Sequence, residues 1–484
     1  MSLETILIMG ISMGRTIVMP PEQPMYLWNK GANKKNKKQK KRFSIHDFYH
    51  IKEAIAEHFG VEIISMDEFI ALSKKRGLFK NSTSGEIINP PEPSTNWDEA
   101  EGWELDQLYT WLGNNGYAWN GWDSNSCFTF WPNATDTKST AQSRVEKLVK
   151  FKRKPQPADF YNKPRPVNAT VRERLAEHLA GRTELCYYNE SMQNAQVLVS
   201  NHVWDPSEEN GNRFLSPFYT FHFFESWEQA LWTKRFVRDH LRYHDELICI
   251  AARVVDAIRK RVRDRGLVDN PSEAFNTCKY LLCCANVTNM STHDVGWNFI
   301  DALGFIPLTT IYSLSTTTVH IRRGDFKSQY EATQHGAEEL YNYSKNFLQP
   351  NSTVFIATDE RNKTYFEPFS KHYDVCFLDD FKHVIEGVNS NYYGVIDQLV
   401  AAKGDAFVGT FWSTLSAYVN RMRGYYSVRD KLPGYEKGQL KSYYFMPQHK
   451  QKVMTRYFAT NGGLWAHEFP TSWRDIDFGI PEVE

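Results

Sequence analysis

A histidine, two arginines and an aspartate lie at the end of a β-branched apolar run. The run Thr317–Ile321 predicts a strand, and His320, Arg322, Arg323 and Asp325 stand at or just after its end. In an open parallel sheet, ligands bind beyond the carboxyl ends of the strands. The arginine fork matches phosphate oxygens and keeps its charge. We therefore predict a phosphate site here, with Asp325 orienting one guanidinium; a surface salt-bridge cluster is the alternative.

A second polar segment follows another apolar run. Asp397 lies in a helical pattern, and the run Ala406–Thr410 predicts a strand that leads into a further helix. That helix opens with Ser413, Thr414, Leu415 and Ser416. Backbone N–H groups and hydroxyls at a helix N-terminus form phosphate sites. Ser413 alone would be an ordinary N-cap, but the Gly-Thr pair before it and the hydroxyls after it make a phosphate site the more specific interpretation.

Alternating strands and helices must position both segments. Between residues 305 and 425 the pattern predicts strands at 317–321, 353–358, 375–378 and 406–410, and helices at 337–348, 365–372, 395–402 and 413–423. This alternation is typical of a doubly wound parallel sheet. The carboxyl ends of its strands would then lie at one edge.

The first half of the chain also has an α/β pattern. It predicts helices at 2–13, 48–58 and 66–72, strands at 16–19 and 61–64, and one long helix from Trp227 to Arg265 that joins two lobes. Six tryptophans stand between residues 95 and 131, within an expected insertion at about 90–170. They either line an acceptor groove or pack on one another as a small core, and the sequence leaves both open.

Composition excludes some classes of protein. The chain has 57 basic and 57 acidic residues, which argues against a protein that coats nucleic acid or an anionic membrane. Its seven cysteines form no zinc-binding pattern. No apolar stretch reaches the about 18 residues that a membrane span needs. The basic run 34–42 is interpreted as a solvated loop, with a nuclear localisation signal as the alternative.

Glycosylation acceptor sequences are frequent. Asn-x-Ser/Thr occurs at Asn81, Asn133, Asn168, Asn189, Asn286, Asn289, Asn342, Asn351 and Asn362. This excess favours the secretory lumen. Which cysteines pair there is left open.

The two polar segments together resemble the GDP-fucose O-fucosyltransferase superfamily. The likeness is strongest to the protein O-fucosyltransferases that modify thrombospondin-type repeats and to plant-type members. Residues 316–424 carry it, with the pattern HxRRxD at 320–325 followed by IDQ at 396–398 and FVGT at 407–410. The helix and strand of residues 3–21 also resemble the start of the family pattern. The middle of the chain matches only loosely, and the Trp-rich insertion has no counterpart.

The resemblance implies a GT-B-like α/β fold, with two Rossmann-like lobes facing a cleft. Residues 1–262 would form the acceptor-side lobe with the Trp-rich insertion, and residues 263–484 the lobe that binds GDP-fucose. By the same resemblance, His320 and Arg322 contact the diphosphate and Asp397 binds the guanine base. The phosphate-binding turn would consist of Ser413, Thr414 and Leu415, with Arg323 and Asp325 in support.

The implied reaction is a metal-independent, inverting transfer of fucose from GDP-fucose to a protein Ser or Thr. Arg322 would stabilise the charge on the departing phosphate. The Asp-x-Asp pattern of metal-dependent transferases occurs only at Asp475-Ile-Asp477. Two alternatives remain, an α1,6-fucosyltransferase that acts on glycans and an inactive GDP-sugar-binding protein.

The family's Gly-Asn loop, which carries GDP contacts and in one branch the catalytic base, would stand just before Met1. The chain begins in a helical pattern and shows no signal segment. We therefore expect Met1 to be an internal methionine of a longer protein that enters the endoplasmic reticulum or Golgi.

Overall fold

The structure is a computed structural model. It describes residues 2–24, 42–51, 62–118, 126–130, 184–187, 190–199, 204–205, 213–214, 222–224, 227–265, 316–324, 326, 334–411, 413–427, 440–445, 458–459 and 466–467. The chain divides into two compact units, and the second begins at His244. The sequence-based division at residue 262 stays a prediction. Among the described helices, none combines the length and the apolarity that crossing a bilayer requires.

The first unit is assembled from short strands and amphipathic helices. Its helices are α1 (Ser2–Ser12), α2 (Met66–Arg76), α3 (Gly102–Asn115), α4 (Glu190–Asn194) and α5 (Trp227–His240). Its strands are β1 (Ile17–Val18), β2 (Gln23–Pro24), β3 (Arg42–Phe43), β4 (Ile63–Ile64), β5 (Tyr117–Ala118), β6 (Ser126–Phe130), β7 (Glu184–Tyr187), β8 (Leu198–Val199), β9 (Trp204–Asp205), β10 (Arg213–Phe214) and β11 (His222–Phe224). Strand pairs β1–β4 and β5–β8 are parallel, as is the sheet β11-β6-β7. Hydrogen-bonding caps fix α2, which begins with a Ser65–Glu68 capping box and ends at Gly77 in the left-handed conformation.

The tryptophans of residues 95–131 have different surroundings. Trp97 is 1% exposed and packs with α2 and α3, and Trp111 meets Phe79 edge to face at 4.7 Å. Trp103 is 65% exposed. The packed-core interpretation therefore holds for Trp97 and Trp111. The other three, Trp119, Trp122 and Trp131, lie outside the described residues.

The single long helix predicted from Trp227 to Arg265 is wrong. Two helices form instead, because α5 ends at His240 and α6 spans Asp245–Asp264. Between them Tyr243 pairs with Tyr49 in an antiparallel bridge, with ring centroids 5.0 Å apart. His244 then takes a non-helical conformation (φ -50°, ψ 141°) as the N-cap of α6. The apolar periodicity runs through the break, but a pairing made by a residue distant in sequence interrupts the backbone.

The second unit is built on a five-stranded parallel sheet. Its strands are β12 (Thr316–Ile321), β13 (Thr353–Thr358), β14 (Asp374–Cys376), β15 (Ala406–Gly409) and β16 (Ser442–Tyr444). Its helices after α6 are α7 (Ala337–Ser344), α8 (Glu367–Ser370), α9 (Tyr393–Ala401) and α10 (Thr414–Tyr426). Three 3-10 turns at 363–366, 378–381 and 390–392 connect them. The antiparallel pair β17 (Phe458–Ala459) and β18 (Ala466–His467) belongs to the first unit. The mixed α/β class is confirmed, and so is the alternation predicted over 305–425 wherever the structure describes that range, from residue 316 onward.

Apolar side chains cover both faces of this sheet, as expected for a parallel sheet between helices. On one face Phe355 and Ala357 pack with α6 and α9. On the other face Val354 and Ile356 pack with Leu340 of α7. Because successive side chains of a strand point to opposite faces, one continuous apolar run fills two cores.

The strand order is β14-β13-β12-β15-β16. Successive strands are added on one side of β12 as far as β14, and the chain then continues on the other side with β15. The order therefore reverses between β12 and β15. In open α/β sheets, ligands bind outside the carboxyl ends of the strands at such a switch point.

Candidate functional site

The two polar segments of the sequence meet at the switch point. His320 on β12 lies opposite Gly409 on β15. The backbone N–H of Arg322 donates to the Thr410 hydroxyl at 2.9 Å, and that hydroxyl donates to the His320 carbonyl at 2.9 Å. One side-chain oxygen thus joins the ends of both strands.

His320 lies inside the structure. Its side chain is 3% exposed, and Nδ1 is 2.7 Å from the Ser416 hydroxyl on α10. Burial, together with the nearby charge of Arg322, lowers the pKa of His320 to about 3. The imidazole is therefore neutral at physiological pH and connects β12 to α10. Its contact with a diphosphate stays a prediction.

Arg322 extends from the end of β12 beside an acidic side chain. Its Nε is 3.3 Å from Oδ2 of Asp359, and its side chain is 20% exposed. Asp359 follows β13 and also accepts the backbone N–H groups of Arg323 at 2.8 Å and Gly324 at 3.0 Å. A Cβ on Gly324 would overlap the Asp359 carboxylate, so glycine permits this approach.

Asp359 is therefore a carboxylate that orients the Arg322 guanidinium in the described part of the chain. The sequence pattern predicts that role for Asp325, which lies outside the described residues. The sequence does contain a signal for the role of Asp359, which is its position at the end of the next predicted strand. Carboxyl ends of neighbouring parallel strands share an edge.

Arg323 is held by two groups on the same edge. Its Nε is 2.9 Å from Oε2 of Glu360, and its guanidinium carbon is 3.6 Å from the ring centroid of Tyr365. Stacking and ion pairing fix this guanidinium in place. Arg323 thus has described partners that suit a supporting role.

The N-terminus of α10 faces the same edge. Ser413 is its extended N-cap and is 5% exposed, and the helix begins at Thr414, which is exposed. Leu415 is half-buried. The first N–H groups of a helix have no partner within it and carry partial positive charge. A methyl group on Gly409 would come 2.6 Å from the Ser416 hydroxyl, so glycine lets α10 approach β15.

Asp397 lies on α9 with an enclosed carboxylate. The residue as a whole is half-buried, yet Oδ1 is buried without a hydrogen-bond partner among the described residues. Burial raises the pKa of Asp397 well above its usual value; the charge of Lys363 acts against this rise and that of Asp379 adds to it. Lys363 follows β13 and Asp379 follows β14, so Asp397 belongs to the carboxyl edge as well.

The edge therefore combines a cationic group, a helix N-terminus and a buried acceptor. Arg322 and the first amides of α10 can bind an anion. Asp397 can accept hydrogen bonds from a planar N–H donor, which would satisfy its enclosed oxygen. Such a set matches a ligand that has phosphate at one end and a ring with N–H groups at the other.

The family of this chain is identified by comparison with known proteins. The family model described as GDP-fucose protein O-fucosyltransferase matches residues 1–426, including the middle of the chain. Among solved structures, POFUT1 in complex with GDP superimposes with a TM-score of 0.27 at 10% identity, covering 87% of this chain and 89% of that chain. POFUT1 in complex with GDP-fucose gives a TM-score of 0.25 at 10% identity and the same coverage.

Superpositions this loose support no conclusion about fold or ligand. Among curated proteins, none matches the chain. The family match alone spans most of the sequence and contains both polar segments. The chain accordingly belongs to the GDP-fucose protein O-fucosyltransferase family and is a glycosyltransferase.

Proposed function

We propose that the chain transfers fucose from GDP-fucose, with inversion, to a serine or threonine hydroxyl of a protein. The observation that carries this proposal is the junction of β12 and β15, where the Arg322 N–H bonds to Thr410 just before α10. The donor, GDP-fucose, is inferred from family membership. Its diphosphate is proposed to bind at this junction. Arg322, Ser413, Thr414 and Leu415 line it.

The guanine base is assigned to Asp397. A carboxylate accepts from guanine N1–H and from the exocyclic amine together, and the enclosed Oδ1 has no described partner. Burial raises the pKa of Asp397 and Lys363 only partly opposes this, so binding of guanine is coupled to loss of the Asp397 proton. His320 supports the proposed diphosphate site from within the structure, because its neutral ring connects β12 to α10.

The reaction needs charge stabilisation at the leaving group. The acceptor oxygen attacks the anomeric carbon of fucose while the bond from that carbon to the β-phosphate oxygen breaks. The electron pair leaves with GDP, and negative charge grows on the β-phosphate. Arg322 and the α10 N-terminus are preorganised cationic groups for that charge.

The two facing Rossmann-like lobes are proposed from family membership. The second unit would hold GDP-fucose, and the first would take the acceptor with the help of its Trp-rich insertion. The exposed Trp103 offers an aromatic face of the kind that acceptors use.

The function is tested by incubating the purified chain with GDP-fucose and a set of folded thrombospondin-type repeats. Fucose on a serine or threonine, found by mass spectrometry with α-linked stereochemistry, supports the proposal. GDP binding without fucosylation of any folded repeat or glycan would contradict it and identify a GDP-sugar-binding protein instead.

Activity is expected to survive chelation. Because Arg322 supplies the positive charge, we expect fucose transfer in excess EDTA to stay within about twofold of the untreated rate, whereas loss of a needed metal costs several kcal/mol of stabilisation. Rates before and after EDTA, with Mn²⁺ or Mg²⁺ added back, measure this. Full loss with rescue by metal would refute the arginine-based mechanism and direct attention to Asp475 and Asp477.

We also propose that the protein acts in the secretory lumen. Cys249 is disulfide-bonded, and structural disulfides persist mainly in oxidising compartments. The sequons point the same way. Among the described ones, Asn81 is exposed in a turn, where its Oδ1 accepts the N–H groups of Thr83 and Ser84.

Asn81 is therefore expected to carry an N-glycan after passage through the secretory pathway. Its Oδ1 already serves the turn, so attachment at Nδ2 leaves that turn intact. Asn342 is the matched control, because it lies within α7 and its sequon hydroxyl, on Ser344, is buried and bonded to Leu340. Peptide mass spectrometry after enzymatic deglycosylation in H₂¹⁸O measures both sites. An unmodified Asn81 beside a modified Asn342 would contradict this expectation.

A further inference from the structure

A histidine and a glutamate form a pair at the start of α7. His335 Nδ1 lies 3.0 Å from Glu339 Oε2. The Glu339 carboxylate also accepts the Tyr343 hydroxyl, and the His335 ring meets the Tyr343 ring edge to face at 5.1 Å. Two side chains, Glu339 and Tyr343, thus fix the orientation of the His335 imidazole.

The pair lies at the same sheet edge as the proposed phosphate site. The chain leaves β12 at Ile321 and enters α7 at Ala337, so the start of α7 stands at the carboxyl edge. The Tyr365 hydroxyl donates to the His335 carbonyl at 2.8 Å. The Tyr365 ring in turn stacks under the Arg323 guanidinium, next to Arg322. A short series of contacts therefore connects His335 to the arginine motif.

The hydrogen bond decides which imidazole nitrogen is basic. A carboxylate only accepts, so Glu339 takes the proton-bearing Nδ1 as its donor. The neutral ring then carries its lone pair on Nε2. A carboxylate that orients an imidazole in this way also stabilises the imidazolium once a proton is taken up.

Charged and titratable groups surround His335 in the described part of the chain. They include Glu339 and Tyr343 on α7, the Tyr365 hydroxyl, and beyond it Arg323 and Glu360. Burial, with the hydrogen bond to Glu339, raises the pKa of Tyr343 to about 12, so this hydroxyl remains a donor to Glu339. The hydrogen bond from Tyr343, together with that from His335, lowers the pKa of Glu339 against a smaller opposing effect of burial, so the carboxylate beside the imidazole is ionised.

We propose that His335 is the general base of the transfer and that Glu339 is its positioning residue, an assignment that rests on the proposed fucosyltransferase function. His335 Nε2 takes the proton of the acceptor hydroxyl as the acceptor oxygen bonds to the anomeric carbon of fucose. The bond from that carbon to the β-phosphate oxygen breaks, and GDP leaves with the electron pair. General-base catalysis typically contributes about 10²- to 10⁴-fold.

Donor hydrolysis and azidolysis separate the base from the leaving-group machinery. Water must lose a proton when it attacks, whereas azide attacks as an anion and needs no base. Neither reaction requires the natural acceptor. We therefore expect His335→Ala to lower GDP-fucose hydrolysis at least about 30-fold, on the scale of losing a general base. With azide added, the variant should release GDP and form fucosyl azide at a rate within about threefold of the wild type.

Three further measurements complete the test. Glu339→Gln keeps a hydrogen-bond acceptor but removes the charge that favours imidazolium, so the acid limb of its rate profile should move to lower pH. His372→Ala is the matched control, since His372 stacks on Tyr341 at 4.8 Å and lies outside the proposed machinery. Calorimetric titration with GDP should give the same affinity for the wild type and all three variants.

Several outcomes would overturn the assignment. Hydrolysis by His335→Ala within threefold of the wild type, with an unchanged pH profile, would show that His335 is not the base. Loss of both hydrolysis and azidolysis with intact GDP binding would assign it another role. If the wild type binds GDP yet turns over GDP-fucose with neither nucleophile, the proposed function fails, and the base assignment fails with it.

Discussion

Replacing Arg322 by alanine is expected to lower fucose transfer at least about 100-fold, the scale of losing one preorganised transition-state donor. The fold should survive, because the contact that joins β12 to β15 uses the Arg322 backbone N–H and not its side chain. Initial rates of GDP release from GDP-fucose, with protein acceptor present, measure the effect. Thermal unfolding of the same samples should show a midpoint close to that of the wild type.

Arg361→Ala is the matched control for this prediction. Arg361 is an exposed arginine that follows β13 at the same edge of the sheet, so its removal changes the net charge equally. We expect its rate to stay within about twofold of the wild type, because exposed charges contribute little. Equal losses in both variants would mean that general electrostatic attraction of the donor is being measured. Arg322→Ala with near-normal transfer would exclude Arg322 from the leaving-group role.

Asp397→Asn is expected to weaken GDP binding at least about 10-fold, because a hydrogen bond to a charged group contributes about 1.5–3 kcal/mol. The amide keeps the shape of the side chain but cannot accept two guanine N–H groups as an anion does. Calorimetric titration measures the affinity, and inosine diphosphate, which lacks the exocyclic amine, is the sharper probe. The wild type should bind GDP more tightly than inosine diphosphate. The ratio of the two affinities should be smaller in the variant.

The same substitution should stabilise the protein without ligand at neutral pH. Burial raises the folded-state pKa of Asp397 above its unfolded value, so the folded state loses stability as pH rises through that raised pKa. Asparagine removes this penalty, and its thermal midpoint should exceed that of the wild type at pH 7 but not under acid conditions. GDP affinity of the wild type should rise with pH over the same range and then level off.

Asp379→Asn is the control, because Asp379 is a neighbouring carboxylate that is 53% exposed and pairs with Lys363. It should change neither GDP affinity nor selectivity by more than about threefold. Unchanged GDP affinity in Asp397→Asn would reject Asp397 as the guanine acceptor. A thermal unfolding midpoint of Asp397→Asn below that of the wild type would show that the carboxylate stabilises the fold.

The sequence predicted the second unit well because its strands are buried on both faces. Thr353–Thr358 reads as an uninterrupted apolar and β-branched run and forms β13 with those bounds. The helix predicted over 337–348 ends earlier, at Ser344, whose hydroxyl bonds back to the Leu340 carbonyl. Local hydrogen bonds of this kind compete with helix continuation.

Contacts distant in sequence account for what the sequence did not reveal. The break between α5 and α6 depends on the pairing of Tyr243 with Tyr49. The apolar periodicity of the sequence contains no information about that pairing. The role of Asp359 depends on β13 lying beside β12, which follows from strand order and not from spacing. The pairing of the two polar segments was reached through family resemblance, and their hydrogen-bonded junction became visible only in three dimensions.

The Thr410 hydroxyl has a dynamic consequence. It accepts from the segment after β12 and donates back into β12, while its own backbone leads into α10. Neither segment of the proposed phosphate site can shift without stretching a bond to the other, so the two should fluctuate as one body. A binding surface that is already ordered loses little conformational entropy when its ligand arrives. The threonine oxygen should therefore favour fast, tight capture of a diphosphate, and amide hydrogens on both segments should slow their exchange together when GDP is added.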